Sequence, residues 1–160
     1  KKLKDNAQKS IDVVKNKVPN FNLYDKENIN KSSYLGILDD DLSPYFKAAV
    51  GNYKITMDAK KEFLNSNLNI NKISELMNSH HNYLKNYLKI TTPEIDKMID
   101  VSFENGAIGS KIVGSGGGGS IVSLSTNSNT SNKIVSALNS IGVKDAFIAR
   151  KGNGPTINYE

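Results

Sequence analysis

A run of glycines constrains this chain more than any other feature of its sequence. Residues 111–125 read KIVGSGGGGSIVSLS, with glycine at five of the six positions 114–119. Glycine reaches positive φ angles and carries no Cβ, so the backbone can turn sharply and other atoms can approach it closely. The run is therefore either a flexible linker between two folded units or an ordered loop within one unit.

The residues on either side of the run favour an ordered loop. Ile112 and Val113 lead directly into it and Ile121 and Val122 lead directly out, a pattern typical of two strands joined by a turn. The stretch after Ser120 contains too little apolar surface for a second domain. A plain hairpin needs only one or two glycines at its turn, and successive N–H groups in a glycine-rich loop can form a concave site for phosphate. We therefore expect a single domain over residues 1–160 and a functional loop, with a ligand-free hairpin as the structural alternative.

Composition and charge exclude several classes of site. The chain has no cysteine, and its two histidines, His80 and His81, are neighbours whose side chains point about 100° apart on a helix, so we expect no metal site. The net charge of +5 comes from lysines scattered among acidic residues, with Arg150 as the single arginine, so we expect no nucleic-acid partner. No apolar run could span a membrane, and a cytoplasmic location is the expectation. We interpret Asp39–Asp41 as a solvated turn rather than a cation site.

Apolar residues recur at helical spacing along most of the chain, and the period changes after Gly106. Thr91–Glu94 marks a helix start and Asn105-Gly106 a stop. His80 falls on an apolar stripe, which indicates a core or interface histidine held by one hydrogen bond. Helices followed by a small antiparallel sheet with one packed helix predict the α+β class. The expected helices cover residues 3–18, 44–65, 71–89, the Thr91–Asn105 segment and 130–141, and the expected strands cover 108–113, 121–124, 144–150 and 156–159.

Three familiar glycine motifs fail on this sequence. Gly114, Gly116 and Gly119 fit G-x-G-x-x-G, but a strand rather than a helix is expected to follow. The phosphate-loop pattern G-x-x-x-x-G-K-[ST] fails because no lysine follows the last glycine. The nucleophile pattern G-x-S-x-G fails because Val113 occupies its first position.

A fourth pattern fits. GAIGSKIVGSGGGGSIVSL, residues 106–124, resembles the third sequence motif of the GHMP kinases, whose usual form is close to GAxGAKxTGAGxGGCxxAL. LMNSHHNYLKNYLKITTPEIDKMID, residues 76–100, is similar to the segment that precedes this motif in the family, and KDAFIARKG resembles the strand that closes the domain. The resemblance is clearest over residues 45–152. Ser120 departs from the family's frequent Cys and Val113 from its common Thr.

The resemblance implies the C-terminal domain of a small-molecule kinase, α+β with a ferredoxin-like core. The family's PxxxGLGSSAA-type phosphate loop and its acceptor-activating residues belong to an N-terminal domain that this sequence lacks. By resemblance, ATP and Mg²⁺ would be bound mainly by that missing domain, this chain would hold no catalytic residue, and in isolation it would be inactive. One wall of the active site would come from Gly114, Ser115, Gly116, Gly117, Gly118 and Gly119.

Within the family, the segments HHNYLKN and TTPEIDKMID look closest to galactokinase-type sugar kinases, which transfer phosphate from ATP to the anomeric hydroxyl of galactose. The expected partners are then a sugar, ATP and the N-terminal kinase domain. Mevalonate kinase or another family member is the first alternative. A non-catalytic module that binds sugar or nucleotide is the second.

Overall fold

The computed structural model describes residues 2–25, 32–114 and 116–149, which form an α+β fold. The predicted fold class is confirmed, and the helices and the hairpin strands begin and end close to their expected positions. Arg150, Ser115 and the strand predicted over residues 156–159 lie outside the described residues. In chain order the elements are α1 (Lys2–Lys17), a short 3-10 helix (Ser32–Ile37), α2 (Ser43–Phe63), α3 (Ile70–Asn86), α4 (Pro93–Glu104), β1 (Gly109–Val113), β2 (Ser120–Leu124) and α5 (Ser128–Ser140).

Capping side chains explain where three of the helices begin. Asn69 and Asn127 each accept a hydrogen bond from the backbone N–H three residues further on, at 3.1 and 2.9 Å, and so start α3 and α5. Thr92 does the same for α4 at 3.4 Å, with Pro93 in the first turn. Each oxygen satisfies a backbone donor that has no partner inside its own helix. The helix start predicted at Thr91–Glu94 is therefore confirmed.

The run Asp39–Asp41 forms the turn that leads into α2. The N–H groups of Leu42 and Ser43 both donate to the Asp39 carbonyl at 3.0 Å, and the three acidic residues are exposed. Across residues 2–25, 32–114 and 116–149, no three His, Asp or Glu side chains gather into a group that could hold a metal ion. Over the same ranges no helix combines the length and the apolar character needed to cross a membrane.

The apolar side chains pack into an N-terminal core and a C-terminal core. The N-terminal core joins α1, the 3-10 helix and α2 around Val14, Tyr34 and Phe46. The C-terminal core has two parts, one around Ile95, Ile99 and Ile112 and one around Ala107, Ile134 and Leu138, which share Met98 and Ile121 as partly buried neighbours. The C-terminal core thus lies between the hairpin on one side and helices α4 and α5 on the other.

The two strands pair in an antiparallel register that runs from Gly109↔Leu124 to Val113↔Ser120. Successive side chains of a strand point to opposite faces of the sheet. Ile112 is 1% exposed because its face packs against α4, whereas Val113 is 44% exposed. The register ends at the pair Val113↔Ser120, so residues 114–119 connect the two strands at the end of the hairpin.

Strand β1 also lies unusually close to α3. A Cβ on Gly109 would lie 3.0 Å from the Ser74 Cα and 3.1 Å from the Ser74 Cβ. Glycine at position 109 and a small residue at position 74 let the strand and the helix approach until side chains of α3 reach the strand's backbone.

The predicted third strand is not found where it was expected. Residues 144–149 belong to no helix or strand, and Phe147 is 74% exposed. A strand gains stability from ladder hydrogen bonds and from side chains buried on one face, and this segment has no such cover for its aromatic ring. Within the described residues the sheet therefore has two strands, with α4 packed on both strands, α3 packed on β1 and α5 packed on α4.

We predict that Gly109→Val destabilises the fold, although valine is the better strand former. The added side chain would push β1 away from the backbone of α3, so we expect a loss of about 2 kcal/mol in the free energy of unfolding. Urea denaturation measures it. Gly36→Val is the control, because no atom lies within 4 Å of a Cβ there. Equal losses for the two variants would contradict the close approach of strand and helix.

Candidate functional site

The glycines of the loop adopt a conformation that other residues rarely adopt. All five have positive φ: Gly114 at 89°, Gly116 at 83°, Gly117 at 73°, Gly118 at 121° and Gly119 at 107°. For other L-residues the left-handed region costs roughly 1–2 kcal/mol per residue. The excess of glycine over a plain hairpin is therefore a requirement of the loop's backbone.

The loop is attached to the segment between α3 and α4. The Gly117 N–H donates to the Ile90 carbonyl at 2.9 Å. A Cβ on Gly116 would lie 2.7 Å from that same carbonyl oxygen, so only glycine fits there. Ile90 is itself held by its N–H, which donates to the Leu84 carbonyl at 3.3 Å. These contacts support the interpretation of the run as an ordered loop rather than a linker.

The other side of the loop is open. A Cβ on Gly114, Gly117, Gly118 or Gly119 would meet no atom within 4 Å. The main chain is therefore accessible there to atoms of a ligand. The Gly117 N–H is already engaged with Ile90, so it fixes the shape of the loop and is not a free donor for an anion.

Two side chains of α3 hold the outer edge of β1, the edge that faces away from β2. Asn78 accepts from the Ser110 N–H at 3.0 Å and donates to the Ile108 carbonyl at 3.1 Å. His81 accepts from the Ile112 N–H through Nδ1 at 3.4 Å. Asn78 and His81 thus bind the backbone groups that a neighbouring strand would otherwise pair.

Burial and nearby charges keep the His81 ring neutral, the form in which Nδ1 can accept from the Ile112 N–H. Burial lowers the pKa of His81, the Asp96 carboxylate acts in the opposite direction, and Lys85 lowers the pKa again. Lys85 and Asp96 themselves form an ion pair at 3.1 Å between α3 and α4. With its pKa below the usual 6.5, the ring is neutral at pH 7, so Nδ1 can accept a hydrogen bond when the proton is on Nε2.

The two histidines differ from the expectation in one respect. His80 was expected to be the histidine held by one hydrogen bond, but His81 holds that position and is 6% exposed. His80 is half-buried between α3 and α2, where burial first and then Lys111 lower its pKa. Helix α3 buries two faces, one against α2 and one against β1, so an apolar stripe alone could not distinguish the two residues.

Sequence reasoning missed Asn78 and His81 as supports of the loop. The signal was an asparagine in the middle of a helix, where its side chain competes for backbone hydrogen bonds and its propensity is poor. An asparagine there has to be balanced by a partner elsewhere in the fold, and that partner is the edge of β1.

Comparison with known proteins shows the family of the chain. The family model described as "GHMP kinases C terminal" matches residues 60–144, a range that runs from the end of α2 through α3, α4, the hairpin and α5. The chain therefore belongs to the GHMP kinases and represents the C-terminal domain of that family. A galactokinase of Dictyostelium discoideum is 38% identical over 59 residues, which cover 37% of this chain and 12% of the relative. The chain thus spans a small part of the curated relative that it matches.

We predict that Asn78→Leu weakens the fold through the edge of β1. The leucine fills a similar volume but leaves the Ser110 N–H and the Ile108 carbonyl without a partner, so we expect a loss of about 2 kcal/mol. Hydrogen exchange of the Ser110 amide should be faster in the Asn78→Leu variant than in the original chain. Asn82→Leu is the control, since Asn82 is exposed on the same helix. An unchanged Ser110 exchange rate would contradict the role of Asn78.

We predict that Gly116→Ala destabilises the chain more than Gly114→Ala does. Both positions have similar positive φ, so both variants carry similar backbone strain. Only the alanine at 116 would collide with the Ile90 carbonyl, which should cost about 2 kcal/mol more. Thermal or urea denaturation compares the two variants. Equal stabilities would show that the loop does not pack on Ile90.

Proposed function

We propose that this chain is the C-terminal part of an ATP-dependent sugar kinase of the galactokinase type, and that residues 114–119 form one wall of its phosphoryl-transfer pocket. The observation that carries the proposal is the fixed glycine loop, whose open side presents main chain without side chains. The galactokinase of Dictyostelium discoideum supports the choice of a sugar as acceptor.

The chemistry of phosphoryl transfer suits such a loop. The transferred group carries its charge on peripheral oxygens, and enzymes accelerate the reaction mainly by positioning it and by donors fixed in advance around it. Gly114, Gly118 and Gly119 have no Cβ to block the approach of phosphate oxygens, and in our proposal their backbone, with Ser115, lines the pocket. Gly116 and Gly117 hold the loop on Ile90, so the donors do not have to reorganise during the reaction.

ATP and Mg²⁺ make different demands on these residues. Backbone N–H groups bind anions, so the loop fits phosphate oxygens. Mg²⁺ is bound by oxygen ligands such as carboxylates, and the glycine loop itself carries no carboxylate. When bound, the ion neutralises charge on the phosphates, and its protein ligands would come from the N-terminal domain. The same domain would supply the group that takes the proton of the acceptor hydroxyl, and we place the activity in the cytoplasm.

The proposal predicts that Gly117→Ala in the complete kinase lowers kcat for galactose about 100-fold, because a displaced loop misplaces the reacting phosphate. Gly142→Ala is a matched control. Gly117 and Gly142 have φ of 73° and 82°, and at both a Cβ would meet nothing within 4 Å. The two variants should therefore lose similar stability, and Gly142→Ala should keep its kcat. Equal kcat values would contradict a role of the loop in the pocket.

The same assay distinguishes the alternatives. Complete protein with ATP and galactose should produce galactose phosphate. Turnover of mevalonate without turnover of galactose would replace the sugar-kinase assignment by the mevalonate kinase alternative. Binding of galactose or ATP without turnover of any acceptor would favour the non-catalytic module.

A further inference from the structure

Helices α2 and α3 enclose an apolar groove that has a lysine on its rim. Its volume is about 540 Å³, which lies within the range of small-molecule sites. Most of the lining side chains are apolar, and the basic side chains among them are Lys60, His80 and Lys111. None of the lining residues belongs to the glycine loop, so the groove is separate from the proposed phosphate pocket.

The two helices run antiparallel, which defines the two ends of the groove. Near one end the ring of Tyr83 occupies the space beside Gly51. At the other end the Glu62 carboxylate accepts from the Asn69 N–H at 2.8 Å and closes the connection between the helices.

The chemistry of the groove differs between these ends. His80 lies towards the Gly51 end, and Lys111 reaches the groove from β1. Phe63 and Leu64 lie with Ile73 at the Asn69 end, where Phe63 is 64% and Leu64 is 77% exposed. Large apolar side chains that remain exposed on a concave surface indicate that something covers them.

The cationic end has room for one negative charge. The Lys111 ammonium donates to the Ile112 carbonyl at 2.8 Å, and no carboxylate pairs with it among the described residues. Burial lowers the pKa of Lys111, which reflects the unfavourable desolvation of a charge without a counterion. His80 is neutral at pH 7 because its pKa is lowered, so its ring can donate a hydrogen bond without adding charge.

We propose that this groove binds a small amphipathic carboxylate. The carboxylate would lie beside Lys111 and His80, and an unbranched apolar tail would follow Ile73 towards Phe63 and Leu64. At this end one ammonium and one neutral ring match a single negative charge, whereas the two charges of a phosphate would be left half compensated. The other lining lysine, Lys60, is exposed and precedes Leu64 by one helical turn, at the opposite end of the groove. The tail would cover the exposed ring of Phe63, a favourable transfer of apolar surface out of water.

Calorimetry with three ligands of eight carbon atoms each tests the proposal on the 160-residue chain: octanoate, octyl phosphate and octan-1-ol. Octanoate should bind about tenfold more tightly than octan-1-ol, since a charge-assisted hydrogen bond favours the anion. Lys111→Met should remove that difference and leave binding of the alcohol unchanged. Phe63→Asp, at an exposed position that tolerates a polar residue, should weaken the binding of both.

Lys133→Met is the matched control, because Lys133 is exposed on α5 and does not line the groove. Circular dichroism establishes that each variant is folded. The proposal is overturned if octanoate and octan-1-ol bind equally, or if Lys133→Met weakens octanoate as much as Lys111→Met does. Tighter binding of octyl phosphate than of octanoate would overturn the choice of a carboxylate, and no binding of any of the three ligands would overturn the proposal.

Discussion

The Asn78 amide makes two hydrogen bonds to the strand before the glycine loop, one as donor and one as acceptor, and these bonds determine where the strand lies. A two-stranded hairpin is only marginally stable in water, and its unpaired edges need partners. Helix α3 provides them for β1 through Asn78 and His81, and the absence of a side chain at Gly109 lets the helix come close enough. Among the described residues, this edge of the sheet is thereby covered by a helix instead of by a third strand.

The loop derives its shape from this arrangement. The strand register fixes both of its ends, and the Ile90 carbonyl fixes its middle through Gly117. Positive φ at each described glycine then follows from having to turn within a few residues while lying on Ile90. Donors that are already in place cost no reorganisation during a reaction, so a loop fixed at three points suits the stabilisation of a transferring phosphate.

Much of this architecture could be predicted from the sequence, because it depends on local patterns. Apolar spacing located the helices, Thr92 and Pro93 marked the start of α4, and the glycine run located the turn of the hairpin. The predictions that proved wrong depend on partners distant in sequence. The strand expected at 144–150 needed a paired edge that residues 144–149 do not find, and the choice of His80 over His81 ignored that α3 buries a polar face against β1.

Helix α3 therefore supports two different surfaces with its opposite faces. One face holds the edge of β1 and, through it, the glycine loop, while the other lines the groove with α2. Lys111 and Ile112 are neighbours on β1, and the strand alternation sends Lys111 towards the groove and Ile112 into the core. The Ile112 backbone lies between the two surfaces, because its carbonyl accepts from the Lys111 ammonium and its N–H donates to His81. The groove and the loop are thus connected by one short strand.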